Sequence, residues 1–370
     1  MKQRLRILLI GEYSNVHNTL AQGLRALGHE VTVMSNGNTW RNYPRDIDIS
    51  RRPGKWGRLC YVLRLCRLLP KMRGYDVVQL INPVFLDLKA ERIFPVYRYL
   101  RKHNKKVFLG AFGNDYYWVN TGCTTMPLRY GDFNMGKQLR NTKDALLHRG
   151  EWLGTAKERL NKMIAADCDG IIAGLYEYWV CYQPVFPQKT VFIPFPIVPL
   201  KDTPDCSYHE PLKIFIGIDR MRSEYKGTDI MLRAAKAIKK RYADRVELRT
   251  AEDLPFEEYR KRMDGSDVIL DQLYSYTPSM NPLEAMKKGI VCVGGGEPEN
   301  YEILNESELR PIVNVLPNEE SVYGALEQLV VHPERIPQLK KESVMYVRRH
   351  HDYIDVARKY EALYRGNDEK

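Results

Sequence analysis

Short apolar runs bounded by Gly, Pro, Asn or Asp, separated by stretches of helical periodicity, run through this chain in two successive series, and that rhythm restricts the fold more than any other feature. In the first half the runs are Leu5–Ile10, Val31–Met34, Asp76–Ile81, Lys106–Gly110, Gly170–Ala173 and Val191–Ile193. Helical patterns fill the gaps at Val16–Leu27, Trp56–Met72, Lys89–His103 and Trp152–Ala166. Strand–helix alternation of this kind implies a parallel sheet covered on both faces. The rhythm restarts at Lys213–Gly217 and continues through Val246–Thr250, Asp267–Leu270, Ile290–Gly294 and Pro311–Val315, with helices expected at Thr228–Lys240, Pro282–Lys288 and Ser321–Val331. A polar segment with three prolines, Pro199–Pro211, separates the series. The expectation is an α/β protein of two doubly wound, Rossmann-like domains facing across a cleft, with ligands at the carboxyl ends of the strands. The first domain spans 1–198, a linker 199–211, and the second domain 212–345. A length of 370 residues agrees with two cores rather than one.

Several classes are excluded. The seven cysteines are scattered without CxxC spacing, so neither a disulfide framework nor a zinc site is indicated. The apolar run Ile7–Ile10 is too short for a signal peptide, and no run approaches the roughly 18 apolar residues of a membrane span. A cytoplasmic chain is expected. Residues 1–200 carry 30 Lys+Arg against 15 Asp+Glu, whereas 201–370 carry 27 against 31. The basic first half implies an anionic partner: a membrane surface, a phosphorylated acceptor or a nucleic acid. Since no nucleic-acid module is present, nucleic acid is not the expected partner. Trp56–Met72 mixes Arg58, Arg64, Arg67 and Lys71 with a broad apolar set, which fits a helix lying on an anionic membrane and equally a core helix with a solvated basic side.

The densest signal runs from Asp267 to Glu302. A strand ends in a polar loop, a helix opens near Pro282 and closes at Gly289, and the next strand ends in Gly294-Gly295-Gly296. A helix N-terminus in such a place suits a phosphate. The stretch Leu283-Glu284-Ala285-Met286-Lys287-Lys288-Gly289 resembles the nucleotide-binding segment of retaining GT-B glycosyltransferases, glycosyltransferase family 4 in particular. The resemblance implies that Glu284 grips the donor ribose hydroxyls. It places Ser279, Met280 and Asn281 around the donor, and sets Tyr276 where the family has its first Glu, against the transferred sugar. A capping role competes for Glu284, because Asn281-Pro282-Leu283-Glu284 has capping-box spacing.

Lys226-Gly227 before a helix resembles the family's K-G-x-x-x-L-x-x-A segment, where this Lys and an upstream Arg clamp the diphosphate. Arg222 or Arg220 would be that Arg. A solvated basic loop is the plainer reading of the same residues. In the first half, Gly11-Glu12-Tyr13-Ser14-Asn15-Val16-His17 lacks G-x-G-x-x-G. The resemblance makes it a loop that positions acceptor and donor phosphate, through Gly11 on the donor side and Ser14, Asn15 and His17 on the acceptor side. Asn114 and Asp115 of Gly113-Asn114-Asp115 would lie near the reacting centre, although G-N-D is also an ordinary turn. His29 reads as structural.

The resemblance further implies that residues 346–370 form a helix returning to the first domain. Its implied reaction is transfer from a UDP- or GDP-linked sugar, with retention, to a glycan or lipid-diphosphate-linked acceptor, as in cell-surface polysaccharide synthesis. No cofactor is expected, and no D-x-D metal motif occurs where the donor would lie. The departing diphosphate oxygen would take the acceptor's proton, with Lys226 and an Arg supporting its charge. Two rivals stay open. One is a nucleotide-sugar epimerase of the same form, which needs acidic and histidine groups around the sugar ring. The other is a non-catalytic nucleotide-sugar binder.

Overall fold

The structure is a computed structural model and describes residues 3–366. Fourteen strands occur among the described residues: β1 (Arg6–Ile10), β2 (Glu30–Ser35), β3 (Ile47–Asp48), β4 (Val77–Leu80), β5 (Lys106–Ala111), β6 (Asn134–Met135), β7 (Gln138–Leu139), β8 (Gly170–Ala173), β9 (Thr190–Phe192), β10 (Leu212–Ile218), β11 (Val246–Glu252), β12 (Val268–Leu270), β13 (Val291–Gly294) and β14 (Val313–Asn314). The chain divides into two units: residues up to Asn120, His148–Pro196 and those from Tyr353 on form the first, and Thr121–Leu147 with Ile197–Asp352 form the second.

The first unit is a seven-stranded sheet in the order β3-β2-β1-β4-β5-β8-β9, and all its pairings are parallel. Its central strands read as continuous apolar runs because helices cover both faces; Ile7, Leu8, Leu9 and Ile10 are fully buried. The chain leaves β1 in one direction toward β3 and resumes at β4 on the other side, so the switch point lies between β1 and β4. The helix Val16–Ala26 follows β1, and the last helix, Tyr353–Arg365, packs on it so closely that a Cβ at Gly23 would lie 2.3 Å from the Tyr353 carbonyl. Lys106 Nζ donates to the Tyr364 and Arg365 carbonyls at 3.0 and 2.9 Å, satisfying the acceptors left open where that helix ends.

The second unit is a five-stranded parallel sheet, β11-β10-β12-β13-β14, with its switch point between β10 and β12. Leu212, Ile214, Ile216, Val268, Leu270, Val291 and Val293 form its core with Met231, Ile238 and Leu326 of the covering helices. A buried ion pair ties the long helix Ile336–His351 to the sheet: Lys340 Nζ lies 2.6 Å from Asp267, whose other oxygen accepts the Lys213 N–H at 2.9 Å.

Three segments fall elsewhere than their place in sequence implies. Residues 121–147, inside the first expected domain, belong to the second unit, with β6 and β7 as an antiparallel hairpin. The expected returning helix over 346–370 is divided at Asp352: Ile336–His351 stays with the second unit and Tyr353–Arg365 joins the first. The expected linker 199–211 lies wholly in the second unit, where Cys206 is buried and the Ser207 carbonyl accepts from Lys340.

Candidate functional site

In the second unit the ends of β10 and β12 carry the charged residues that the sequence singles out. Beyond Ile218 the chain makes a 3-10 turn over Arg220–Arg222, with the Asp219 carboxylate accepting the Met221 N–H at 3.1 Å. One helical turn, Ser223–Lys226, then leads through Gly227 into the helix Thr228–Arg241. Gly227 has φ +75°, and a Cβ there would meet Leu273 at 2.8 Å. That approach brings the Lys226 carbonyl to the Leu273 N–H, 3.0 Å, and locks the Lys226 turn onto the loop after β12.

Asp271 is the first residue of that loop. Burial pushes its carboxyl upward, while the Lys226 ammonium and hydrogen bonds from Asn281 and Gln272 draw it back. Asn281 Nδ2 donates to Asp271 at 3.2 Å, and Asn281 Oδ1 accepts from the Tyr259 hydroxyl at 3.1 Å. Lys226, Asp271, Asn281 and Tyr259 therefore form one polar line across the carboxyl ends of β10 and β12. Sequence reasoning missed Asp271; its signal was an acidic residue immediately after an apolar strand, the position where open α/β sheets place ligand-contacting groups.

The two candidate arginines differ. Arg220 is exposed and donates to Glu252 at the end of β11, at 2.7 and 3.0 Å, with Asp253 at 3.9 Å. Arg222 is half-buried, its guanidinium 5.3 Å from the centre of the Tyr225 ring, and among the described residues it has no carboxylate partner.

The helix Met280–Met286 starts two residues before Pro282, with Ser279 at the N-cap and no side-chain capping bond. Asn281 is inside the helix, so the capping-box reading of Asn281 and Glu284 does not hold. Glu284 is half-buried and pairs with Lys287 at 2.7 Å, one turn along; Met280 is buried. Tyr276 is fully buried. Its hydroxyl accepts the Arg129 N–H at 2.7 Å, and its ring lies 5.0 Å from the Arg129 guanidinium and 5.1 Å from Tyr130. The ring is thus packed into this unit's own core rather than presented as a free sugar contact.

Residues 121–147 supply the surroundings. Arg129 bridges Glu297 and Glu299 at 2.6 and 2.5 Å, and Tyr130 donates to Glu297. Arg140 is buried, stacks 3.3 Å from the centre of Tyr274, and donates to the carbonyls of Gly131, Glu224 and Tyr225. Sequence carries no signal for Arg140, because the Glu224 and Tyr225 carbonyls that tie it to the turn before Gly227 are 84 and 85 residues away.

At the strand ends of the first unit the polar groups are enclosed. Gly11 lies so close to β4 that a Cβ would sit 2.2 Å from Ile81. Glu12, buried, accepts the N–H groups of His17 and Asn18 at 3.3 and 2.9 Å, so a resident carboxyl occupies the first turn of the helix Val16–Ala26. Burial raises its pKa to about 8. His17 is fully buried and not on an acceptor-facing surface: Nδ1 donates to the Gly11 carbonyl at 2.8 Å, and Nε2 accepts from Gln79, which in turn accepts from Tyr364. Desolvation lowers its pKa to about 3. Asp115, also buried, caps the helix Tyr116–Cys123 by accepting the Trp118 N–H at 2.9 Å, and takes the Tyr182 hydroxyl at 2.7 Å; burial raises it to about 7. Ser14, Asn15 and Asn114 are half-buried at the loop surface, with Asn15 accepting from Asn18 and the Asn114 carbonyl from Asn82. His29 is buried beside Glu361, 3.4 Å away. Among the described residues no group of three or more His, Cys, Asp or Glu is placed to hold a metal ion.

No protein-family model matches the chain, and no curated protein matches it in sequence. Solved structures match it in fold. Sucrose-phosphate synthase from Thermosynechococcus elongatus aligns with a TM-score of 0.63 at 13% identity, over 97% of this chain and 98% of that one. HepE from Anabaena, in complex with UDP and glucose, aligns at 0.57 and 10%, over 97% and 98%. A protein described as a UDP-N-acetylglucosamine 2-epimerase from Listeria monocytogenes aligns at 0.55 and 11%, over 99% and 97%. The fold is GT-B-like, and glycosyltransferases are among the proteins that share it.

Proposed function

We propose that the chain is a retaining glycosyltransferase that moves a sugar from a UDP- or GDP-linked donor to a glycan, free or carried on a lipid diphosphate, in polysaccharide assembly at the inner face of a membrane. The observation that carries this reading is the line of Lys226, Asp271 and Asn281 across the ends of β10 and β12, with Arg222 on the Tyr225 ring in the turn before Lys226 and Glu284 one turn beyond Asn281. Two cations suit a diphosphate whose charge grows as the glycosidic bond breaks. Glu284 suits the ribose hydroxyls, because a carboxylate accepts two hydrogen bonds. HepE, which shares the fold, was solved with UDP and glucose. Of the two arginines, Arg222 is assigned to the diphosphate, since Arg220 is held by Glu252.

The fold shared with the Listeria protein favours one second reading, nucleotide-sugar epimerisation. Incubating the chain with a panel of UDP- and GDP-sugars separates the two. Diphosphate release stimulated by an acceptor supports transfer; an altered sugar nucleotide without diphosphate release supports epimerisation. Binding without turnover in any acceptor mixture defeats both.

A further inference from the structure

The helix Gly54–Leu68 is attached to the first unit by a narrow strip. Of its side chains only Tyr61 and Leu65 are buried. At 100° per residue the opposite side of the cylinder carries Trp56, Leu59, Cys60, Leu63 and Cys66, all exposed. Trp56 is 79% exposed, Leu59 50% and Leu63 48%. The helix thus has two apolar stripes, and only one of them meets the protein. Isolated exposed apolar residues are unremarkable, but a Trp and two Leu in one row on one helix are a patch.

Charge fixes what covers it. From Arg51 to Tyr75 there are eight Lys or Arg and no Asp or Glu. Arg64 is turned inward, donating to the Ser50 carbonyl and lying 5.8 Å from the Tyr61 ring, and Arg51 pairs with Asp87 at 3.1 Å. Arg52, Lys55, Arg58, Arg67, Lys71 and Arg73 are exposed, and at 100° per residue Lys55 and Arg67 border the apolar row. Apolar side chains flanked by cations match the acyl–headgroup boundary of an anionic bilayer, where burial and Coulomb attraction act together. No helix among the described residues is long and apolar enough to cross a membrane, so the attachment is peripheral.

We infer that the outer face of Gly54–Leu68 docks the chain on an anionic phospholipid surface, with Trp56, Leu59 and Leu63 entering the bilayer and the surrounding Lys and Arg meeting lipid phosphates. This docking is independent of the transferase reading, because it needs neither donor nor acceptor. The test is sedimentation of the full chain with vesicles of phosphatidylcholine alone, or with phosphatidylglycerol in equal part, at low and high salt. The wild type is expected to bind the anionic vesicles and to be released by salt. Joint replacement Trp56→Ser, Leu59→Ser and Leu63→Ser removes exposed side chains and should leave the melting temperature unchanged while weakening vesicle partition by about tenfold or more. Lys55→Glu with Arg67→Glu should remove the preference for anionic lipid. Equal partition to both lipids, no partition to either, or undiminished binding by the triple variant would overturn the inference. So would a dimer in solution that the triple variant dissociates, with no vesicle binding. Diphosphate release with a water-soluble acceptor, measured in parallel, keeps failure of the docking distinct from failure of the transferase reading.

Discussion

Both units have ionisable residues just beyond the first strand of their sheets, and those residues meet different environments. Glu12, after β1, is buried with its carboxyl on the backbone N–H groups of the following helix. Arg222 and Lys226, after β10, stay half-buried on a turn whose own cap is supplied by Asp219. The same strand–turn–helix therefore yields a neutral, closed end in one case and a cationic, reachable end in the other. What decides it is which side chain serves the backbone. Where a carboxyl fills the helix start, no phosphate can use those N–H groups; where a neighbouring Asp caps a short turn, Arg222 and Lys226 stand on that turn and Lys226 faces Asp271.

The comparison is sharpened most by Glu284→Ala, which should weaken nucleoside diphosphate binding by roughly 2–4 kcal/mol through loss of a charged double acceptor. Its melting temperature should hardly move, because Glu284 makes no helix cap and its ion pair with Lys287 lies at a half-exposed position. Calorimetric titration beside a melting curve reads both quantities, and a fall in stability with affinity kept would return Glu284 to a structural role. Next, Lys226→Ala should lower turnover about thirtyfold, about 2 kcal/mol in barrier. Activity within about threefold of wild type with the best donor would remove Lys226 from the mechanism.

The closed end makes a prediction about pH. Glu12 keeps its proton in the folded state up to about pH 8, whereas in the unfolded chain it ionises near 4.5, so the folded state binds more protons between these values and stability falls as pH rises through them. Asp115, raised from 3.8 to about 7, acts in the same sense over its own window. His17, lowered to about 3, acts oppositely between there and 6.5, since the unfolded chain holds that extra proton. Above pH 6.5 only the carboxyls remain, and between pH 6.5 and 8 the Glu12 contribution alone should cost about 2 kcal/mol. Urea unfolding across this range should show the decline in the wild type and a flatter profile in Glu12→Gln. Equal slopes in the two proteins would mean that Glu12 titrates normally.

The smallest effects concern the two arginines of this turn. Arg222→Ala should reduce kcat/KM about tenfold, about 1.4 kcal/mol, while Arg220→Ala should leave activity within about twofold and stability nearly unchanged, since its ion pair is exposed. The reverse ranking in steady-state kinetics would exchange their roles.

Sequence periodicity exposed the long strands because burial on both faces writes itself as an unbroken apolar run; Gly170–Ala173 is an instance matched at both ends. It did not expose β3, β6 and β7, which are two residues long and half polar, or the short helices Tyr116–Cys123 and Pro298–Leu304. The cationic turn was legible because Lys226-Gly227 and the segment around Glu284 are local patterns. The competing capping role of Asn281 falls away because capping-box spacing alone does not say where the helix begins, and the chain enters it at Met280. The resemblance sets Tyr276 and His17 beside ligands, and their burial was not legible because a polar tip says nothing of its neighbours. Arg129 lies 147 residues from Tyr276 and Gln79 62 from His17, a separation no local pattern spans.

The central claim is that the turn after β10 holds a diphosphate. Titration calorimetry of the full chain with UDP and GDP, set against UMP and GMP, tests it directly in the wild type and in Lys226→Ala. The account predicts that one diphosphate binds about tenfold more tightly than its monophosphate, about 1.4 kcal/mol, and that Lys226→Ala removes the preference while monophosphate binding persists. A preference that survives unchanged in Lys226→Ala would contradict it.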